Sequence, residues 1–400
     1  MFMNIVIGIL IGLFVLMFLV TAHEFGHFIM ARRNGVRVNE FGICFPPRAI
    51  AWVKGKDGKW HKIPKKDWKK PQDSLIFSLN WLPIGGFCAM DGESDADTKV
   101  GTFGAANFWQ KTKILFGGVL MNWLVAFIIL TVLAWTGMPV FFNNQFYFQN
   151  DTTFTSGAAT IECVKENSPA EAAGFQTGDE IIRVNGKQVV ISTDVIEENQ
   201  SHPGEEVKYQ VSRDGKLIEL TATLNQADAE YLLGIQMYSN ESFFRTTWSA
   251  PIVGAITTVQ LTGETFRGVG DMLWNFVSGI ARQFSFDDQT REEGRQSIGA
   301  AGDSVSGPVG IIGVIFPAFV ESGATNIAFL AALISVSLAC MNVLPIPALD
   351  GGRWFLIALY RLRGKVLTKE TEERIVSYAF YILFILIIVI TALDITRFFR

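Results

Sequence analysis

The stretch NIVIGILIGLFVLMFLVTAHEFGHFIMA, Asn4–Ala31, decides the fold. It carries no charge before His23 and exceeds the roughly 20 apolar residues that cross a bilayer as a helix. Inside it, His23-Glu24-Phe25-Gly26-His27 places two imidazoles at i and i+4, on one helical face, with a glutamate beside them. That is the donor pattern of a zinc hydrolase. Ionisable groups at such a depth are costly unless they bind something or face water, so the motif reads as functional. A cleaved signal peptide does not fit: no basic residue precedes the apolar run, which is too long for an h-region, and no A-x-A site follows it.

Working outward, three more apolar stretches reach membrane length: Ile114–Thr136, Ile327–Ala348 and Ile375–Leu393. The fold class expected is therefore a multi-pass α-helical membrane protein with four transmembrane helices. Between Arg32 and Lys113 there are fifteen Lys/Arg against eight Asp/Glu; from Met138 to Asn326 there are eleven against twenty-four. By the positive-inside rule, Arg32–Lys113 and Arg353–Arg374 face the cytoplasm. Both termini and the acidic region then face the other side, although Arg397 and Arg400 oppose this weakly. If Arg32-Arg33 mark the cytoplasmic interface, His27 and His23 lie about 7 and 13 Å inward at 1.5 Å per residue. The basic stretch Lys54 to Lys70 is juxtamembrane, and reads as topological or lipid-facing, not as a nucleic-acid footprint. Cys44, Cys88, Cys163 and Cys340 are scattered without a C-x-x-C, which argues against both a disulfide framework and a thiolate zinc site.

Residues 158–236 read as a small soluble β-rich domain. Thr160–Val164, Ile181–Val184 and Val207–Val211 are β-branched runs, and Asn185-Gly186 and Asp214-Gly215 are turn signals. Ser168-Pro-Ala-Glu-Ala-Ala-Gly174 reads as a short helix with a serine cap, proline in its first turn and glycine past its end. The string from Ser168 to Gly186 resembles a PDZ domain, present once. In the region 242–302, Phe266, Met272, Leu273, Trp274, Phe276, Val277 and Ile280 suggest an amphipathic helix, lying on the outer membrane surface or packed as an ordinary helix. Asp287 to Gly302, polar and glycine-rich, is expected to be a loop.

A catalytic zinc needs three protein ligands and one open position. His61 lies in the basic loop and His202 in the external domain, so a carboxylate on another span is required. Asp350 is the candidate: it closes the third span in Asn342-Val-Leu-Pro-Ile-Pro-Ala-Leu-Asp350-Gly-Gly352, where Pro345 and Pro347 break the helix.

H-E-F-G-H on the first span, N-x-x-P-x-P-x-L-D-G-G after the third and an interposed PDZ segment resemble the site-2 proteases, specifically the bacterial regulator-of-sigma-E protease type. The resemblance covers nearly the whole chain. Phe41–Pro47, Leu82–Phe87 with Met90–Glu93, and Ser306–Ile311 support it. In place of the family's G-P-x-x-N on the second span stands Gly118-Val-Leu-Met-Asn122, with Val119 replacing proline. The chain also has one PDZ domain where better-known members have two.

The resemblance implies an intramembrane zinc metalloprotease with His23, His27 and Asp350 on Zn²⁺ and Glu24 as catalytic base. Asn342 would contact substrate or stabilise the oxyanion and Asn122 would contact substrate, with an interhelical hydrogen bond the simpler reading of each. It implies a membrane re-entrant β-loop within Ser74–Met90 of the 36–93 segment, which could receive an unwound substrate as an added strand. Expected partners are single-pass membrane-protein substrates such as an anti-sigma factor or remnant signal peptides, peptide tails or periplasmic factors at the PDZ domain, and the lipid bilayer; nucleic acid is not one. The expected place is the bacterial inner membrane, with the enzyme as second cutter in regulated intramembrane proteolysis. The competing readings are a catalytically inactive PDZ-bearing adaptor and a metal transporter; the latter lacks the internal repeats that such proteins tend to show.

Overall fold

In the computed structural model, the first apolar run is a single helix, α1, Phe2–Arg33. The structure describes residues 2–398 except 56, 69–73, 143, 156–158, 190, 191, 230, 240–242 and 304–306. Ser306, the end of the basic stretch at Lys70, residue 158 and Arg400 thus lie outside the described residues. Two compact units result: residues 1–129 with 258–400, and residues 130–257.

In the first unit α1 is followed by β1, Val38–Lys54, β2, Trp60–Lys62, and β3, Ile76–Met90. The two long strands each double back. Phe77 lies opposite both Phe41 and Trp52, and Phe41 opposite both Phe77 and Cys88. The first half of β3 is thus threaded between the halves of β1, and its returning half, Gly86–Met90, pairs with Val38–Ile43. The expected hairpin in Ser74–Met90 is therefore half of an interlocked pair. Its register is set across the pair, where a single-segment reading of alternation has no access to it.

Helix α2, Phe108–Thr136, supplies the second long apolar helix. Helix α3, Ala250–Gln283, leaves Phe266, Leu273, Trp274, Phe276, Val277 and Ile280 exposed. The loop expected over Asp287–Gly302 is instead a helix, α4, Asp288–Asp303. Asp287 caps it by accepting from the Thr290 N–H at 2.9 Å, and the i,i+3 pairs Arg291–Asp288 and Arg295–Glu292 line its surface. Its glycines had suggested breaks, at roughly 1 kcal/mol each, but besides the cap and paired charges the helix packs on α3, where Gly279 lies close against Gly294 and Ile298.

Helix α5, Ala324–Val343, stops five residues earlier than the apolar run suggests. Leu344 precedes Pro345 and is driven into extended backbone, φ −62° and ψ 147°. Helices α6, Asp350–Leu362, and α7, Lys369–Phe398, complete the unit. Four helices, over Met3–Arg33, Phe108–Thr136, Ala324–Val343 and Lys369–Ala392, are long and apolar enough to cross a membrane.

The second unit is β-rich. Its main sheet runs in the order Lys216–Thr223, Glu206–Arg213, Glu180–Val184, Ala159–Val164, Ile235–Ser239, with Lys187–Gln188 paired to Glu180–Val184. Ile161, Ile181, Val207, Tyr209 and Val211 fill its core. The short helix forms as read, Pro169–Ala173, capped by the Ser168 hydroxyl and closed by Gly174 at φ +83°. Asn185-Gly186 and Asp214-Gly215 both adopt positive φ, the signature of tight hairpin turns.

Buried Asp179 accepts two hydrogen bonds of 2.7 Å from Arg213. Burial pushes its carboxyl up, but the guanidinium and the Gln176 N–H outweigh that and hold it below the usual carboxylate value. A depressed carboxyl stabilises the fold above its unfolded pKa of about 3.9, and the contribution vanishes as pH falls through the lower folded value. Asp179→Asn is therefore expected to cost about 1–3 kcal/mol near neutrality. Hydrogen exchange in strand Glu180–Val184 of the full-length chain checks this, and the difference from wild type should shrink below about pH 3.9.

Candidate active site

The face of α1 that carries His23 and His27 meets the start of α6. His23 Nε2 lies 3.0 Å from Asp350 Oδ2, His27 Nε2 lies 3.2 Å from the same oxygen, and the two Nε2 atoms are 3.1 Å apart. Asp350 is 327 residues from His23. The edge of a tetrahedron with bonds of 2.0–2.1 Å is about 3.3 Å, so three donors at these separations match a zinc coordination shell. Among the described residues, this is the one group of three or more His, Cys, Asp or Glu placed to hold a metal ion.

Helix α2 supplies the back wall through three positions spaced by four. The Ile114 carbonyl accepts from His27 Nδ1–H at 2.8 Å, which leaves the Nε2 lone pair pointing into the cluster. Gly118 leaves room beside the rings: a Cβ there would sit 2.6 Å from His27 Nε2 and 2.7 Å from His23 Nε2. Asn122, wholly buried, brings Nδ2 to 3.3 Å from His23 Nδ1, while its Oδ1 has no hydrogen-bond partner. A half-turn of the amide exchanges the two atoms and offers His23 Nδ1–H an acceptor, freeing Nε2 for metal. The donor set, the space and the buried amide all fit zinc. Val119, the departure from G-P-x-x-N, is buried one residue off this stripe.

Asp350 reaches the site because the chain turns back sharply after α5. Ile346 and Leu349 close the turn with hydrogen bonds to Leu344 O and Ile346 O, each 2.8 Å. A Cβ on Gly352 would lie 1.9 Å from the Ile346 carbonyl oxygen, so only glycine lets α6 begin so close to the turn. Below the site, Arg353 bonds Glu93 O at 2.8 Å and pairs with Glu372 at 3.3 Å, and Trp354 Nε1 donates to Thr112 at 2.9 Å. These contacts tie α6 to the loop after β3, to α7 and to α2.

Glu24 follows His23 directly on α1, and two residues before that histidine Thr21 Oγ1 donates to the Gly85 carbonyl of β3 at 3.4 Å. The sheet therefore touches the motif helix within a turn of the His23–His27–Asp350 cluster. Asn342 is half-buried and donates to Leu338 O, four residues back in its own helix, at 3.0 Å; that bond is intrahelical. His61 pairs with Asp57 at 2.9 Å, and His202 Nδ1 bonds Glu198 O at 2.9 Å, so both stay out of the site as expected. Sequence reasoning missed Ile114 and Gly118 as site residues. Gly118 was visible as the glycine four residues before Asn122, but a backbone carbonyl leaves no residue-type signal.

The profile of "Peptidase family M50" matches residues 11–387. The chain is 32% identical to "Zinc metalloprotease RasP" of Shouchella clausii (strain KSM-K16), over 74% of this chain and 62% of that protein. It is 25% identical to "Regulator of sigma-W protease RasP" of Bacillus subtilis (strain 168), over the full length of both. It is 24% identical to "Zinc metalloprotease RasP" of Geobacillus kaustophilus (strain HTA426), over 95% of this chain and 96% of that one. A crystal structure of the PDZ domain of an SdrC-like protein from Listeria monocytogenes covers 21% of this chain and 90% of its own at 23% identity, with a TM-score of 0.19 too low to argue from. With a match across nearly the whole chain and a zinc-competent donor set between apolar helices, the chain belongs to peptidase family M50, the site-2 protease type of membrane zinc metalloproteases.

Proposed function

We propose that the enzyme cuts a peptide bond in or near the transmembrane segment of membrane-protein substrates, close to the cytoplasmic face, with His23, His27 and Asp350 as zinc ligands. One observation carries this: two imidazoles on a helix long enough to span a bilayer and the carboxylate that opens α6 bring three donor atoms within 3.2 Å of one another, with a glutamate next to the first histidine. Zinc, when bound, polarises the scissile carbonyl and makes water nucleophilic near neutral pH. Glu24 takes the proton from the attacking water onto its carboxylate and returns it to the leaving amine. Asn342 spends one amide proton on Leu338 O, and the second is free to bind substrate carbonyl oxygen.

A substrate helix hides its peptide bonds in i to i−4 hydrogen bonds and must unwind before hydrolysis. Unwound backbone in lipid needs new partners. Residues Gly86–Met90 pair on one side with β1, and Gly86 lies against the motif helix, where an added Cβ would be 3.1 Å from Thr21 Oγ1, which supports strand addition there. The reading of 158–236 as a PDZ domain, outside the cytoplasm because the basic segments Arg32–Lys113 and Arg353–Arg374 face inward, rests on its β-rich sheet and capped helix; it would bind peptide tails. The relative named as a regulator of sigma-W supports anti-sigma factors as substrates and a place as second cutter.

The test is a purified full-length enzyme with a labelled transmembrane substrate in lipid. Cleavage should stop on zinc chelation and return with zinc. An inactive adaptor would bind the substrate and never cut it.

Asn122, assigned to substrate by resemblance, serves in this reading to position His23. Asn122→Leu should weaken zinc 10–100-fold in competition with a chelator, the range for outer partners of a ligating histidine. Asn122→Asp keeps an acceptor oxygen and should hold zinc near the wild-type level. Equal zinc retention in Asn122→Leu and wild type would return Asn122 to the substrate.

A further inference from the structure

At the end of α1, about one turn beyond His27, a cavity of about 660 Å³ opens between α1, the β1–β2 turn and the start of β3. Its rim carries Arg32, Arg33 and Lys54, and its apolar lining includes Phe28, Trp60 and Phe77. Among the described residues none of the three cations makes an ion pair. Asp57, the acid in the β1–β2 turn, is already engaged by His61 at 2.9 Å. The Arg32 guanidinium lies 6.0 Å from the centre of the Phe28 ring, which does not neutralise it. The C-terminal dipole of α1 offsets about half a charge. Some two unbalanced positive charges therefore converge on one hollow.

We propose that this cavity is a binding site for an anionic phospholipid, its phosphodiester held by Arg32, Arg33 and Lys54 and its first acyl carbons laid on Phe28, Trp60 and Phe77. The volume lies in the range of about 300–1,000 Å³ usual for small-ligand sites. Free phosphate would satisfy the cations but leave the aromatic floor wet. A lipid matches both halves of the site. Height agrees as well: Arg32 and Arg33 end a membrane-length helix, and half-exposed Trp60 is the residue type that settles at the membrane–water boundary. Trp60 packs on Phe77 at 5.1 Å between ring centres, and Phe77 on Phe28 at 5.7 Å, so one ligand would touch strand and helix together. The same two elements meet again where Thr21 Oγ1 donates to the Gly85 carbonyl at 3.4 Å. A lipid lodged here braces the sheet against the motif helix from the cytoplasmic side.

The experiment uses the full-length chain in bilayers of zwitterionic phosphatidylcholine, with phosphatidylglycerol brominated near the top of its acyl chains as the probe. The chain has ten tryptophans, so the Trp60 signal is the difference between wild type and Trp60→Phe. That difference should be quenched at a mole fraction of phosphatidylglycerol about 100-fold lower than of equally brominated phosphatidylcholine, at roughly fivefold per cation. Arg32→Gln/Arg33→Gln/Lys54→Gln should abolish the preference. Because losing two arginines beside a span can disturb insertion, Lys54→Gln alone, remote from any span, should reduce it about fivefold. Equal quenching by both lipids, an unchanged preference in Lys54→Gln, or displacement of the brominated lipid by inorganic phosphate at the same concentration would each overturn the site.

Discussion

Glu24→Gln is expected to abolish proteolysis while zinc stays bound. The exchange preserves size, and the contact between α1 and β3 through Thr21 and the Gly85 carbonyl is left untouched. What is lost is a group that takes a proton at neutral pH. Positioned general bases contribute about 10²–10⁴-fold, and in this site the same carboxylate also delivers the proton to the departing amine. The rate should therefore fall by at least that range and not merely shift in KM. Zinc content should remain at the wild-type level because Glu24 is not among the three donors. The measurement is cleavage of a model transmembrane substrate alongside zinc per chain. Cleavage within tenfold of wild type would remove Glu24 from proton transfer.

Asp350→Ala is expected to take away zinc as well as activity. Its Oδ2 is shared by both imidazoles at 3.0 and 3.2 Å, so its removal opens the cluster on one side and leaves only two ligands. Loss of an outer partner costs 10–100-fold in affinity, and loss of a ligand should exceed that. After dialysis against a chelator, the variant should retain less than about one hundredth of the wild-type zinc affinity. His23→Ala should behave alike. Stoichiometric zinc in Asp350→Ala would exclude it as a ligand, and the reading of the site with it. Together the two variants separate the roles: one enzyme loaded but idle, the other empty.

How much of this was legible beforehand depends on the range of the interaction. The membrane helices were, because 20 apolar residues in a row are a local fact. So were the Ser168 cap, Gly174 and the Asn185-Gly186 and Asp214-Gly215 turns, each fixed within a few residues. The end of α5 was missed by five residues because hydropathy continues through Leu344 to Ala348, while the steric demand of Pro345 on Leu344 does not. Helix α4 was missed because its glycines spoke louder than the Asp287 cap. Asn122 was singled out, but its neighbour was not: the contact with His23 spans 99 residues and depends on how α1 lies against α2.

By itself the sequence determined the chemistry: a turn of helix with two histidines and a glutamate inside a membrane-length apolar run already implies a zinc hydrolase in lipid. Tertiary structure alone decided that Asp350 completes the cluster, that Ile114, Gly118 and Asn122 form its back wall, and that β3 threads between the halves of β1. Helical periodicity places side chains only relative to their own axis. Which faces meet depends on close packing between segments remote in the chain, as where Gly352 lets α6 start against the Ile346 carbonyl.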